Sequence, residues 1–231
     1  LSEKIIKSMK KIVIAIDGPA GSGKSSSAKI VAERLGYIYI DTGAMYRAVT
    51  LEAIRRGIAE NEAEICKILD ELKIELRTSP QGQRTILNGE DVSEDIRLPE
   101  VTRLVSPVSA IGCVRDKLVA EQRRIGESGG IVMDGRDIGT VVFPNAELKI
   151  YLVASIEARA ERRAKELRAK GIPVEIEEIK KQIIERDNYD SSRAISPLRQ
   201  AEDAILIDTS EMTLEQQSEL IIELANKIIN S

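Results

Sequence analysis

Short runs of β-branched and aliphatic residues alternate along this chain with longer charged stretches whose apolar positions recur at helical spacing. Ile12-Val13-Ile14-Ala15-Ile16 is a continuous apolar run, the pattern of a strand covered on both faces. A helix is predicted over 24–35, with Ala28, Val31, Ala32 and Leu35 on one face and Gly36 as its stop. Tyr37-Ile38-Tyr39-Ile40 reads as a second strand, followed by helices over 44–56 and 62–72. Three further strands are predicted at 131–133, 148–153 and 204–207, with charged helices over 155–169, 175–186 and 213–229 between and after them. Strands separated by helices require parallel crossovers, so the pattern predicts an α/β fold built on a doubly wound parallel sheet of about five strands.

The texture changes after residue 72. Lys73-Ile74-Glu75-Leu76-Arg77 alternates with period two, Ser79-Pro80-Gln81-Gly82 reads as a turn, and Arg84-Thr85-Ile86-Leu87 as another short strand. Asn88-Gly89 is a hairpin dipeptide leading into Glu90-Asp91-Val92. A small antiparallel β-module is therefore expected, inserted into the α/β pattern, with helices over 93–106 and 114–126 behind it.

Composition narrows the chemistry. The 231 residues suit one domain, or one with an insertion, and 42% hydrophobic content is enough for a large core. No run approaches 18 uninterrupted apolar residues, which excludes a membrane span, and the opening residues lack the apolar region of a secretory signal. There is no histidine, which removes a Ser-His-Asp triad, a His-ligated metal and a His proton shuttle. Cys66 and Cys113 lie far apart in no metal-ligand spacing. They are expected to be separate buried apolar fillers, with no disulfide, in a chain suited to the reducing cytoplasm. A net charge of −4, with five Tyr, one Phe and no Trp, argues against nucleic acid as a partner.

Gly18-Pro19-Ala20-Gly21-Ser22-Gly23-Lys24-Ser25 fits the G-x-x-x-x-G-K-[ST] phosphate loop, with a buried strand before it and a helix after it. Glycines let successive backbone N–H groups curl around a polyphosphate, and the helix N-terminus adds its positive end. Lys24 can then reach the β- and γ-phosphates, and Ser25 offers a hydroxyl to Mg²⁺. Asp17, just before the loop, is explained by strand-end geometry as well as by a role near the triphosphate.

No guanine-reading Asn/Thr-Lys-x-Asp signature is present. Arginine-bearing acidic motifs lie at strand ends instead, where open α/β sheets bind ligands. Asp41-Thr42-Gly43-Ala44-Met45-Tyr46-Arg47 follows the second strand and Asp134-Gly135-Arg136-Asp137 the third. Arg186, Asp190 and Arg193 have i, i+4, i+7 spacing and would share one helix face if the helix continues that far. Arginines suit a phosphate and carboxylates suit hydroxyl and amino groups, so the set fits a phosphate carrying a polar organic group.

The phosphate loop, the run from Asp41 to Arg47, the run from Asp134 to Pro144 and the Arg186, Asp190, Arg193 cluster closely resemble the bacterial-type cytidylate kinases, from about Lys11 to the C-terminus. The Gly-Arg-Asp run and the β insertion distinguish that family from adenylate and guanylate kinases. The resemblance implies Mg²⁺-dependent transfer of the ATP γ-phosphoryl group to CMP or dCMP. It implies that Gly18, Pro19, Ala20, Gly21, Ser22, Gly23, Lys24, Ser25 and Ser26 cradle ATP, and that Thr42, Tyr46, Arg47, Arg136 and Arg193 surround the monophosphate. Ser106, Arg115 and Asp137 would read cytosine, and Asp190 with Arg186 would hold the ribose. Lys24, Arg47, Arg136 and Arg193 would supply the catalytic field. A short lid at about 159–174 would bring Arg159 and Arg163 to ATP, although Glu157, Glu161 and Glu166 could equally pair with these arginines on a solvated face. The expected division is a P-loop core of 11–72 and 106–231, an inserted NMP-binding module at 73–105 and an N-terminal extension at 1–10. A cytoplasmic monomer is expected, with no nucleic acid or membrane as partner.

Chemistry supports the base assignment separately. Cytosine presents an N4 amino donor where uracil presents a carbonyl, and a carboxylate such as Asp137 accepts from the former only. Two other readings compete: a P-loop kinase of another small metabolite such as shikimate or gluconate, and a nucleotide-dependent switch acting on a partner through residues 73–92. The alternating charges Lys73, Glu75, Arg77 and Arg84 argue against the second.

Overall fold

The computed structural model describes residues 10–79, 82–169 and 171–231. The extension expected at 1–10, apart from Lys10, the two central residues of the turn at 79–82 and Lys170 lie outside the described residues. In chain order the elements are β1 (Val13–Asp17), α1 (Lys24–Leu35), β2 (Ile38–Asp41), α2 (Thr42–Arg55), α3 (Glu62–Ile68), β3 (Ile74–Ser79), β4 (Gly82–Leu87) and β5 (Glu90–Asp91). They continue with α4 (Pro99–Ala110), α5 (Gly112–Gly126), β6 (Ile131–Gly135), β7 (Leu148–Val153), α6 (Ile156–Ala169), α7 (Ile176–Ser192), β8 (Ile205–Asp208) and α8 (Leu214–Ile229).

Five strands form one parallel sheet in the order β2-β6-β1-β7-β8. This is the doubly wound α/β arrangement that the alternation of apolar runs and helices predicts. β1 is central, paired with β6 through Asp17↔Gly135 and with β7 through Asp17↔Tyr151. The apolar run over 13–16 follows from its position. Ile14 and Ile16 pack on one face with Val31 of α1 and Ile221 of α8, while Ala15 packs on the other with Met133, Val119 and Ile138. Buried on both faces, the run has no alternation to show.

The second sheet is the small antiparallel module β3-β4-β5, in register Ile74↔Leu87 and Leu87↔Glu90. Asn88 and Gly89 both have positive φ, 50° and 91°, the backbone of a two-residue hairpin turn. Leu87 and Val92 join the same apolar cluster as Met45 and Val49 of α2, Val101 and Val105 of α4 and Leu118 of α5. The module therefore sits on the helices that carry the site rather than standing apart.

Most boundaries shift by a residue or two, and three depart further. The helix predicted over 62–72 stops at Ile68 and tightens into a 3₁₀ turn over Leu69–Glu71. The one predicted over 93–106 is broken at Leu98, whose ψ of 149° is the extended backbone favoured before Pro99. α7 runs six residues beyond the predicted 186, to Ser192. A π-helical turn at Ile138–Val142, unforeseen, follows β6.

The cysteine expectation is wrong. Cys66 of α3 and Cys113 of α5 form a disulfide across 47 positions of sequence, with their Cα atoms 5.8 Å apart. Ile65 and Leu118, on the same two helices, lie in one cluster, and this packing brings together cysteines whose spacing suggested no relation. The argument from cysteine usage to a reducing compartment therefore lapses.

Closing a loop of this length should stabilise the fold by up to about 4 kcal/mol. Excess dithiothreitol, or Cys66→Ser, is expected to lower the thermal midpoint by up to roughly 10 °C. A thiol titration of the denatured, unreduced chain should find no free cysteine. Two free thiols and a midpoint indifferent to reductant would contradict the link.

Candidate active site

The loop between β1 and α1 is shaped by backbone that other residues cannot adopt. Gly18, Gly21 and Gly23 have φ of 146°, 77° and 94°. A Cβ on Gly18 would lie 2.0 Å from the Leu152 carbonyl oxygen, so the loop can pass β7 only as glycine. Gly23 precedes α1 with no side chain capping the helix, which leaves its first N–H groups directed at the loop interior. Lys24 is buried and donates to the Pro19 carbonyl at 2.6 Å, with the Ser22 hydroxyl at 3.4 Å. Burial, and then the positive charge of Arg136, push its pKa well below the ordinary lysine value.

Ser25 and Ser26 are exposed at the start of α1. Ser25 Oγ donates to Asp134 Oδ2 at 2.7 Å, and Tyr39 donates to Asp134 Oδ1 at 2.8 Å. Burial and the neighbouring Asp41 raise the Asp134 carboxyl to about 6. Asp134 was named only as part of the strand-end motif, with no role of its own; its place directly after the apolar run 131–133, at a strand end, was the available signal. A hydroxyl and a carboxylate oxygen side by side at the phosphate loop are the donor types Mg²⁺ prefers, the ion taking its other ligands from phosphates and water. The donor set fits that ion.

Of the two arginines expected on a lid, Arg159 reaches the phosphate loop and Arg163 does not. Arg159 is buried, donates to Ala20 O at 3.3 Å and pairs with Asp187 Oδ2 at 2.6 Å. Its Cβ would be only 3.2 Å from a Cβ placed on Gly21. Arg163 is exposed and paired with Glu166 at 3.1 Å, one turn away. Pro19 and Ala20 are half-buried beneath this wall.

The acceptor side is built where β6 ends. Arg136 Nε donates to Asp190 Oδ2 at 3.0 Å, and Arg186 Nε lies 4.0 Å from the same oxygen. Asp137 is buried and paired with the equally buried Arg115, whose guanidinium sits 5.4 Å from the Tyr46 ring centre and donates to Ser109 O at 3.1 Å. Ser106 lies three residues before Ser109 on α4, its carbonyl accepting the Ser109 hydroxyl at 2.9 Å. Thr42 spends its hydroxyl on the backbone oxygen of Asp134 at 2.7 Å, fixing the start of α2 to the end of β6. Arg47 reaches toward the insertion, donating to Ile96 O at 3.2 Å and Thr102 Oγ1 at 2.9 Å.

The expected helix face is only two-thirds correct. Arg186 and Asp190 share α7, but Arg193 lies beyond its last turn with ψ of 142°, its Nε donating to the Ser196 carbonyl. Burial, then the charge of Arg115, lowers its pKa. Asp17 settles on the structural side of its two readings: it accepts the N–H groups of Ile138 and Gly139.

Five arginines (47, 115, 136, 186 and 193) thus surround two inner carboxylates, Asp137 and Asp190. Burial, then Arg186, lowers Arg47 to about 10, and burial, then Arg136, lowers Arg186 to about 10. Both shifts reflect burial first and crowding by other arginines second. Among the described residues, the buried Tyr46 hydroxyl, Arg115 Nε, Arg186 Nε and one Arg193 nitrogen have no hydrogen-bond partner. Buried donors of this kind are normally satisfied, and a ligand with a phosphate and a polar base would satisfy them.

A family model described as cytidylate kinase matches residues 14–227. The protein named cytidylate kinase from Streptococcus sanguinis (strain SK36) is 54% identical over 224 residues, covering 96% of this chain and 100% of its own. The one from Geobacillus thermodenitrificans (strain NG80-2) is 51% identical over 221 residues, covering 95% and 99%. Among solved structures, an uncharacterized protein from Eubacterium ventriosum ATCC 27560 is similar with a TM-score of 0.52 at 13% identity, over 94% of this chain and 99% of that one. That last likeness concerns the fold alone.

The charge imbalance has a measurable consequence. Inorganic phosphate should raise the thermal midpoint of the ligand-free chain by several degrees relative to chloride at equal ionic strength. Lys24→Met should remove the part due to the phosphate loop, and adding Arg186→Met should remove most of the rest. A phosphate effect unchanged by both substitutions would place the anion elsewhere.

Proposed function

The chain belongs to the cytidylate kinase family, and we propose that it transfers the γ-phosphoryl group of ATP to CMP or dCMP, giving ADP and CDP or dCDP. The observation that carries the base preference is Asp137, buried against Arg115 and one residue from Arg136. Cytosine would meet this carboxylate with its N4 amino donor. Uracil would leave it facing a carbonyl, and an unpaired buried carboxylate is costly enough to exclude a substrate.

On this reading Ser106 and Arg115 complete the base pocket, with Tyr46 beneath Arg115. Arg186 and Asp190 hold the ribose, and Thr42, Tyr46, Arg47, Arg136 and Arg193 line the monophosphate. The loop Gly18–Ser26 cradles ATP, with Arg159 against it; Arg163 joins only if the lid at 159–174 moves over the phosphates. Residues 73–105 act as the monophosphate-binding insertion on the core of 11–72 and 106–231. The enzyme works as a cytoplasmic monomer on small molecules; among the described residues no helix is long and apolar enough to cross a membrane.

Phosphoryl transfer between nucleotides needs positioning and charge stabilisation more than proton transfer, because the acceptor phosphate is already ionised at neutral pH. Lys24 leaves Pro19 O to meet the donor phosphates, and Arg47, Arg136 and Arg193 spread over the oxygens that gain charge. Burial of Lys24 and of the Arg115–Asp137 pair keeps the field strong by keeping water out. Ser25, hydrogen-bonded to Asp134, would hold Mg²⁺, which when bound supplies charge neutralisation for the donor phosphates.

ADP formation from Mg·ATP, measured with CMP, dCMP, UMP, AMP, GMP and shikimate in turn, tests the reading. CMP and dCMP should stimulate it strongly, and Asp137→Ala should lower kcat/KM for CMP by at least about 100-fold, the scale of losing a buried charge-assisted contact. Equal stimulation by UMP or AMP would remove the base assignment and leave the kinase. Hydrolysis indifferent to every acceptor would remove the kinase.

A further inference from the structure

Asp17 closes one strand and clamps the turn that follows its neighbour. It is the last residue of β1, bonded directly to Gly18 of the phosphate loop, and it is 4% exposed. Its Oδ1 accepts the N–H of Ile138 at 2.8 Å and its Oδ2 that of Gly139 at 2.7 Å. In the ladder between β1 and β6, Asp17 stands opposite Gly135. The chain therefore leaves Asp17 at Gly135 and returns to its carboxylate at Ile138. The two residues between these fixed points are Arg136 and Asp137.

The clamp also decides what the Asp137 side chain can do. Asp137 is the N-cap of the π-helical turn Ile138–Val142, the position where a carboxylate ordinarily accepts the free N–H groups of the first turn. Its side chain makes no such bond. Asp17 already accepts the N–H of Ile138 and that of Gly139, the second of which an N-cap side chain would take, and the Asp137 carboxylate turns to Arg115 instead. The approach is close: a Cβ on Gly139 would lie 3.4 Å from Asp17 Oδ2 and 3.2 Å from Lys149 Cδ.

We propose that Asp17 is a positioning residue for base selection: by capping the turn in place of Asp137, it holds Asp137 and Arg136 aimed into the acceptor site without itself touching substrate. The inference rests on the reading of Asp137 as the group that meets the cytosine amino group. It also makes one side chain the joint between the donor loop and the acceptor-reading segment.

Steady-state kinetics with CMP and UMP on wild type, Asp17→Asn and Asp137→Asn separate the possibilities. Asn at 17 keeps the size but turns an NH₂ toward one of the two peptide N–H groups. The CMP-over-UMP ratio of kcat/KM should fall at least tenfold in Asp17→Asn, with KM for CMP rising tenfold or more and KM for ATP changing less than threefold. A merely structural defect would move both substrates and both KM values together and leave the ratio intact, which overturns the proposal. Asp137→Asn is the control: an unchanged ratio there refutes the reading of Asp137 whatever Asp17→Asn does. If Asp17→Asn does not fold, Asp17→Ser, smaller and able to accept only one of the two N–H groups, carries the same expectation and the same refutation.

Discussion

Asp134 is bound from three directions at the end of β6. Ser25 holds one carboxylate oxygen at 2.7 Å, Tyr39 the other at 2.8 Å, and Thr42 the backbone carbonyl at 2.7 Å. These partners come from the start of α1, from β2 and from the start of α2. A buried carboxylate is tolerated only where such donors are provided, and providing them draws three strand-to-helix junctions to one point. Donor loop and acceptor segment meet there because the desolvated charge needs partners from both. The arrangement lies at the carboxyl ends of parallel strands, where β1 and β6 stand side by side and their following loops open into a common crevice.

Around that point the charges are not balanced, and the imbalance is what the site uses. On the donor side Lys24 is buried beside a carbonyl and a hydroxyl rather than a full counter-charge in direct contact. On the acceptor side Arg136 and Arg186 crowd a single carboxylate, Asp190. The apolar cluster around α2, α4 and α5, closed by β4 and stapled by Cys66–Cys113, holds the helices that carry Arg47 and Arg115. Charge gathered in advance in a water-poor site is the kind that stabilises a developing phosphoryl negative charge.

Much of this was legible before any coordinates. The strands near 14, 132 and 150, the helices beginning at 24 and ending near 229, and the hairpin at Asn88-Gly89 all follow from local pattern. Glycines at 18, 21 and 23 announced their loop because only glycine tolerates those dihedrals. Boundaries slipped where a neighbour intervened: Pro99 broke the helix predicted over 93–106, and α7 ran on beyond 186 to carry Asp190. Arg159 and Arg163, indistinguishable as sequence, were separated by four residues of helix, one turned to the phosphate loop and the other to solvent and Glu166.

By itself the sequence determined the alternation of strands and helices, the inserted hairpin and the shape of the phosphate loop, because periodicity and backbone dihedrals are properties of neighbouring residues. It also set the inventory of arginines and carboxylates from which a site could be made. Which of them pair was left to the tertiary structure. Ser25 meets Asp134 across 109 positions, Asp17 meets Ile138 across 121, and Cys66 meets Cys113 across 47. Contacts of this range depend on strand order and helix packing, and the strength of each charge pair depends on how far the assembled fold excludes water, a quantity no segment of the chain possesses alone.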